Sequence, residues 1–172
     1  PDTEYEDAYV SFAERILARS QANAFLKDII PFCRRVSHYG MLYSLSQTLI
    51  KITSPGVPDF YQGTELWDLN LVDPDNRRPV DFQKRRSLLK EIRTRAEKNL
   101  PALISDLLQN REDGRIKLWL VCMGLRARKE YAEIFRSGNY VPLEVSGRYS
   151  DKIVAYGRNA GDRWGVTLVP RF

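Results

Sequence analysis

The chain is short of the residues that most often do chemistry: it has one histidine, two cysteines and two methionines in 172 residues. Cys33 and Cys122 have no second Cys or His at ligand spacing. That excludes a zinc motif and a disulfide framework, and leaves buried, reduced thiols as the expectation. Such thiols suit a reducing compartment, so a cytoplasmic setting is expected. His38 has no carboxylate beside it in sequence and reads as structural rather than catalytic. No run approaches the roughly 20 apolar residues of a membrane helix, and no charged n-region precedes an apolar h-region. Neither a membrane partner, a metal nor a cofactor is expected. A chain that opens on Pro1-Asp2, with no Met, is expected to be part of a longer one.

What is present is ample for a core: hydrophobic residues make up 43% of the chain. The net charge is +5 and unevenly spread. Residues 1–86 carry 11 Lys/Arg against 12 Asp/Glu, and residues 87–172 carry 16 against 10. A basic second half can mean a polyanion partner, and a helical nucleic-acid-binding module is one reading of it. The basic residues alternate with acids, however, as in Lys90, Glu91, Arg93, Arg95, Glu97 and Lys98. That is the pattern of a solvated helix face, and no zinc-finger, RRM or KH signature accompanies it. Nucleic acid is not expected as a partner.

Thr3 followed by Glu6 reads as a capping box opening a helix over residues 3–19, with Tyr5, Ala8, Phe12, Ile16 and Leu17 on a packed face. A second helix is expected over Ala22 to Ile30, with Pro31 either interrupting it or opening the next turn. Residues 40–52 form an apolar helix whose buried stripe would be Leu42, Leu45, Leu49 and Ile52. Pro55 and Gly56 end it. Val57 to Tyr61 reads as a short buried strand, with Pro58 at its beginning or beside an irregularity. Helices follow over residues 83–98, from Pro101 to Leu108, and from about Ile116 to near Ser137 and Gly138 with Ile116, Trp119, Leu120, Met123, Ala127, Tyr131 and Ile134 on the apolar face. After Gly138 the period changes to alternation. Strands are expected around Val141–Val145, Ile153–Tyr156 and Trp164–Val169, with a turn at Asn159–Asp162. The expected domains are residues 1–138 and residues 139–172, the second incomplete.

The stretch from Ser54 to Phe82 holds four of the nine prolines, and after Gly63 it runs through about 19 residues without helical period. A strand that opens into a long polar loop before a helix is a βα unit, and ligands sit at such strand ends. Asp73, Asp75, Asn76, Arg77 and Arg78 offer planar donors and acceptors for sugar hydroxyls, and Tyr61 and Trp67 offer faces for a pyranose ring. The alternative is that the same acids and arginines pair with one another and stiffen the loop.

The words GVPDFYQGTEL and LVDPDNRRPVDF resemble the end of the catalytic barrel in the maltooligosyltrehalose synthases, a trehalose-forming branch of the α-amylase superfamily (glycoside hydrolase family 13). GVPDFYQGTEL is similar to the superfamily's eighth barrel strand. SLSQTLIKITSPG resembles the helix before it, and FRSGNYVPLEVSG the approach to the C-terminal β domain. The resemblance is dense over residues 44–90 and weaker over residues 95–115.

The resemblance implies an α/β fold: the last part of a TIM (β/α)8 barrel, mostly helical here, with barrel strand 8 near residues 57–61 and its loop at 62–82. The start of an antiparallel C-terminal β domain would follow. It also implies an intramolecular transglycosylase that converts the reducing-end α-1,4 bond of a maltooligosaccharide or α-glucan into an α,α-1,1 bond. Its three carboxylates would lie on earlier barrel strands, before Pro1, so no catalytic residue is assigned here and the chain alone is expected to be inactive. The partners implied are the α-glucan and the remainder of the barrel. Arg77, in Arg77-Arg78-Pro79, matches the family's pocket-closing arginine, with Arg78 as the other register; Glu65 matches a supporting position. An inert accessory domain of amylase-like ancestry is the remaining reading.

Overall fold

A computed structural model describes residues 2–20 and 23–171. Their placement divides into two compact units, residues 1–40 and 41–172, with one helix running through the division.

In the first unit, α1 spans Thr3–Ile16. Its cap is Asp2, whose Oδ1 accepts from the Tyr5 amide at 3.1 Å, so the expected Thr3–Glu6 box is displaced by a better acceptor one residue earlier. Glu4 and Glu6 lie in the positive first turn and Arg15 in the negative last one. The face expected to be packed is bare in this chain: Tyr5, Phe12 and Leu17 are all more than half exposed. The helix-forming pattern is present, but no described residue covers it.

Helix α2 spans Ala24–Thr53. The expected start at Ala22 lies outside the described residues. Asn23 accepts from the Leu26 amide at 3.0 Å, and its own amide donates to the carbonyls of Ile16 and Ala18, both at 2.9 Å. One side chain thus starts α2 and ends α1. The helix continues through Pro31, which sits on an exposed face where the carbonyl deprived of its donor can bond to solvent. Cys33 is exposed and Cys122 half-buried, so neither is the buried thiol expected.

In the second unit, α3 spans Phe82–Gln109, capped by Asp81, whose carboxylate accepts from the Lys84 amide at 2.8 Å. The interruption expected before Pro101 is a kink at Asn99 (φ −159°, ψ 89°), whose side chain caps the next segment through the Ala102 amide at 3.0 Å. Helix α4 spans Arg115–Glu130 and α5 spans Ala132–Arg136. The single helix expected here breaks at Tyr131; Ile134 is buried as expected and Phe135 is buried beside it, while Met123 and Tyr131 are exposed. On α4 the buried residues are Leu118 and Val121.

Leu118 joins Leu66, Ile92, Leu103 and Leu107 in the main core, with Leu88, Leu89, Ala96, Ile116 and Trp119 against it. At Gly124, α4 approaches α2 so closely that a Cβ would lie 2.9 Å from Ile52 Cδ1. Of the stripe expected on α2, Ile52 is fully buried and Leu42, Leu45 and Leu49 are half-buried.

The three strands read from alternation form an antiparallel sheet in the order β1 (Asn139–Pro142), β2 (Ile153–Ala160), β3 (Arg163–Pro170). Val141 faces Gly157 across one ladder, and Tyr156 faces Thr167 across the other. The sheet rests on α5 where Gly165 meets Ile134 and Phe135, Tyr156 and Val169 are buried, and Ser46 Oγ of α2 donates to the Pro170 carbonyl at 3.1 Å.

The expected strand at residues 57–61 is not one: the segment is irregular chain without ladder hydrogen bonds among the described residues. A strand needs a neighbour, and no described residue pairs with this one. Val57 is 94% exposed.

Candidate functional site

The loop from residue 62 is fastened at its base. Arg85, one turn into α3, donates to Glu65 Oε2 at 2.9 Å, to the Gly63 carbonyl at 2.6 Å and to the Asp81 carbonyl at 3.1 Å. Glu65 is therefore engaged as a brace between the loop and α3. Leu66 enters the core, and the Trp67 indole N–H donates to the Arg111 carbonyl at 2.8 Å. Gly114 (φ 80°) opens α4 in a conformation L residues avoid, and a Cβ there would lie 3.1 Å from the Trp67 nitrogen. Lys117 lies over the Trp67 ring at 5.6 Å and donates to the Leu66 carbonyl at 3.3 Å. Trp67 is held from several sides, so its first role in this chain is to anchor the loop.

Beyond Trp67 the chain becomes polar and exposed. Asp68 accepts from the backbone and side-chain amides of Asn70, at 3.1 and 2.6 Å. The Asp73–Pro74 peptide is cis, and a single 3-10 turn spans Asp75–Arg77. Asp75 accepts from the Leu71 amide at 2.9 Å and pairs with Arg78; Asp73 pairs with Arg77 at 2.8 Å. The acids and arginines of the loop thus bond to each other. Both pairs are solvent-exposed on the arginine side, where an ion pair contributes little to stability. Asn76 Oδ1 is buried without a hydrogen-bond partner among the described residues. An acceptor so placed is available to a ligand donor.

Two clefts flank this stretch. One of about 360 Å3 brings together Trp67, Asn76 and Arg78 from the expected set, with Asp68, Asp81 and Arg85. The other, of about 380 Å3, holds Tyr61 with Lys51, Asp59 and Lys117. Tyr61 is thus separated from Asn76 and Arg78, while Asp73 and Arg77 stand outside both clefts. Burial lowers the Lys117 pKa, and the nearby charge of Lys51 lowers it further. Among the described residues no group of three or more His, Cys, Asp or Glu could hold a metal ion. No helix among them is long and apolar enough to cross a membrane.

The reading from sequence missed the arginines that hold this region. Arg158, on β2, is 1% exposed and donates to the carbonyls of Gly138 (2.8 Å), Phe135 (3.2 Å), Thr53 (3.3 Å) and Asn139 (3.3 Å). Tyr156 Oη lies 2.6 Å from Thr53 Oγ1. Arg128, on α4, donates to the carbonyls of Ile52, Ser54 and Gly56. Together these side chains tie the end of α2, from which residues 57–82 depart, to α4, α5 and the sheet. No signal in the sequence marks the two arginines, since both stand in a basic half whose charges read as solvated.

No protein-family model matches the chain. Curated proteins of two Mycobacterium tuberculosis strains, both carrying the provisional name maltooligosyl trehalose synthase, are 38% identical over 130 residues. That match covers 73% of this chain and 14% of theirs. A crystal structure titled maltooligosyl trehalose synthase superposes with a TM-score of 0.71 at 36% identity, over 91% of this chain and 20% of that one. The maltooligosyltrehalose synthase of Arthrobacter ramosus gives 0.71 at 27% identity, over 99% of this chain and 20% of its own. Sequence and fold agree, and the chain belongs with the maltooligosyl trehalose synthases as the homologue of one segment of them, 14% to 20% of their length.

Proposed function

We propose that the chain is the C-terminal part of the catalytic barrel, with the first strands of the β domain that follows it, of an enzyme converting the reducing-end α-1,4 bond of maltooligosaccharides into an α,α-1,1 bond. In this reading residues 1–138 belong to the barrel and residues 139–172 to the β domain, and the setting is cytoplasmic. The observation that carries it is the match to maltooligosyl trehalose synthase over 91% of the chain at 36% identity. Residues 57–61 are compatible with it: a segment of strand-like composition without ladder partners among the described residues, leading into a long polar loop, suits a barrel strand whose neighbours belong to the rest of the protein.

The loop is then one wall of the sugar pocket. Asn76 and Arg78 present an unpartnered acceptor and a guanidinium to the same cleft. Arg77 is positioned to exchange Asp73 for a sugar hydroxyl or a carboxylate of the barrel. The carboxylates that break and form the glycosidic bonds lie elsewhere in the protein, and this chain contributes positioning and electrostatics. The test is hydrogen exchange on the full-length protein: maltopentaose slows exchange of the amides in residues 61–78. Unchanged exchange at saturating sugar would remove the loop from the site.

A further inference from the structure

We infer that Arg128 is a positioning residue: by bridging three carbonyls at the end of α2 it sets the direction in which residues 57–61 leave that helix, and hence the place of the loop at 62–82. The inference rests on the reading above only where it concerns the reaction; the geometry stands apart from it.

Helix α2 ends with a cluster of carbonyls that its own backbone does not satisfy. Thr53 Oγ1 takes the Leu49 carbonyl at 2.8 Å and the Ser54 amide takes that of Ile50 at 2.8 Å. Gly56 (φ 103°) then turns the chain. Arg128 reaches across from the last turn of α4, with Nη1 donating to Ile52 O at 2.5 Å and Ser54 O at 3.3 Å and Nη2 donating to Gly56 O. One planar guanidinium therefore spans the last turn of the helix, the turn after it and the first residue of the departing segment. A fork of fixed geometry transmits orientation across five residues in a way that a single point charge cannot.

The charges around it are consistent with that role. Arg128 has no carboxylate partner among its described contacts, and burial together with the charges of Arg158 and Arg136 lowers its pKa. What stabilises the cation is the negative end of α2, so the contact is lost if residues 52–56 move. Gly56, Val57 and Pro58 line a cleft of about 340 Å3 with Arg128 and Arg136, so the guanidinium faces the start of the departing segment.

The experiment uses the full-length protein with Arg128→Lys and Arg128→Met, and Leu103→Val as a control that weakens the main core away from residues 52–61. Three quantities are read: kcat and KM on maltopentaose, Tm, and hydrogen exchange at residues 57–61. The expected result for Arg128→Lys, which keeps the charge and loses the fork, is a kcat lower by about 10- to 100-fold at a temperature where the protein is folded. Exchange at residues 57–61 is at least about 10-fold faster, and Leu103→Val shows neither change at a comparable Tm. Wild-type kcat and wild-type exchange in both Arg128 variants would overturn the inference, and so would a loss of kcat matched by Leu103→Val at equal Tm. If the wild-type protein does not act on maltopentaose, the proposed function fails, and exchange alone decides: faster exchange at residues 57–61 supports the positioning contact and unchanged exchange refutes it.

Discussion

Replacing Arg158 by Met keeps most of the side-chain volume and removes every donor from a site that is 1% exposed. Four carbonyls lose a partner. The bond to Gly138 at 2.8 Å is short, while those to Phe135, Thr53 and Asn139, at 3.2–3.3 Å, are long and correspondingly weak. A charge-assisted bond contributes about 1.5–3 kcal/mol at good geometry and an ordinary one about 1 kcal/mol, so with the short bond counted at about 2 and each long one at about 1 the four together contribute roughly 5 kcal/mol. Relief of the several kcal/mol that burying a cation costs offsets about half of this. The expected net loss is about 2–3 kcal/mol, equivalent to a Tm lower by roughly 5–10 °C for a domain of this size. Arg158→Lys recovers less than half, because an ammonium cannot reach four carbonyls from three elements. Native-state hydrogen exchange of the β2 amides in urea reads the loss locally. A change under about 0.5 kcal/mol in the Met variant would refute the view that Arg158 joins the sheet to the helices.

Gly114→Ala forces a Cβ into positive φ and to 3.1 Å from the Trp67 nitrogen, and is expected to cost about 1–3 kcal/mol with altered Trp67 fluorescence, measured by thermal denaturation. Burial acts to raise the Asp106 pKa, but hydrogen bonds from Arg95, Asn110 and Arg115 outweigh it, and the net pKa lies below the ordinary carboxylate value. The stability contributed by Asp106 is therefore complete above that ordinary value of about 3.9 and is lost as pH falls through the lower folded value, so Asp106→Asn should differ from wild type at pH 6 and converge with it in strong acid. In the full-length protein, Arg77→Ala is expected to reduce kcat/KM by an amount equivalent to about 2–4 kcal/mol. An unchanged value would leave the Arg77–Asp73 pair as a loop brace.

Much of the secondary structure was legible because it depends on short-range pattern. The alternation after Gly138 gave the three strands, and Pro101 marked the kink that Asn99 makes in α3. What failed depended on partners far away in sequence. Residues 57–61 have strand composition, but a strand is defined by a ladder and none of the described residues supplies one. The stripe expected from Ile116 to Ile134 was right in part: Ile116 and Trp119 pack on the main core and Ile134 is buried, but Met123 and Tyr131 are exposed because the backbone leaves the helix at Tyr131, and Leu118 and Val121 are buried because α4 meets both the main core and Ile52. The loop showed its chemistry in residue types but not its pairing: that Arg77 meets Asp73 and Arg78 meets Asp75 is set by the turn at Asp75–Arg77. Arg128 and Arg158 gave no sign because arginines in a basic half read as solvated, and only the fold reveals the carbonyls that hold them inside.

The central claim, that this segment belongs to an enzyme making an α,α-1,1 bond, is tested most directly by the linkage in the product. The full-length protein incubated with maltopentaose should abolish the reducing-end anomeric signals in the NMR spectrum without releasing free glucose, and residues 1–172 alone should leave the spectrum unchanged. Persistence of the reducing end with the full-length protein, or its loss with residues 1–172 alone, would contradict the account.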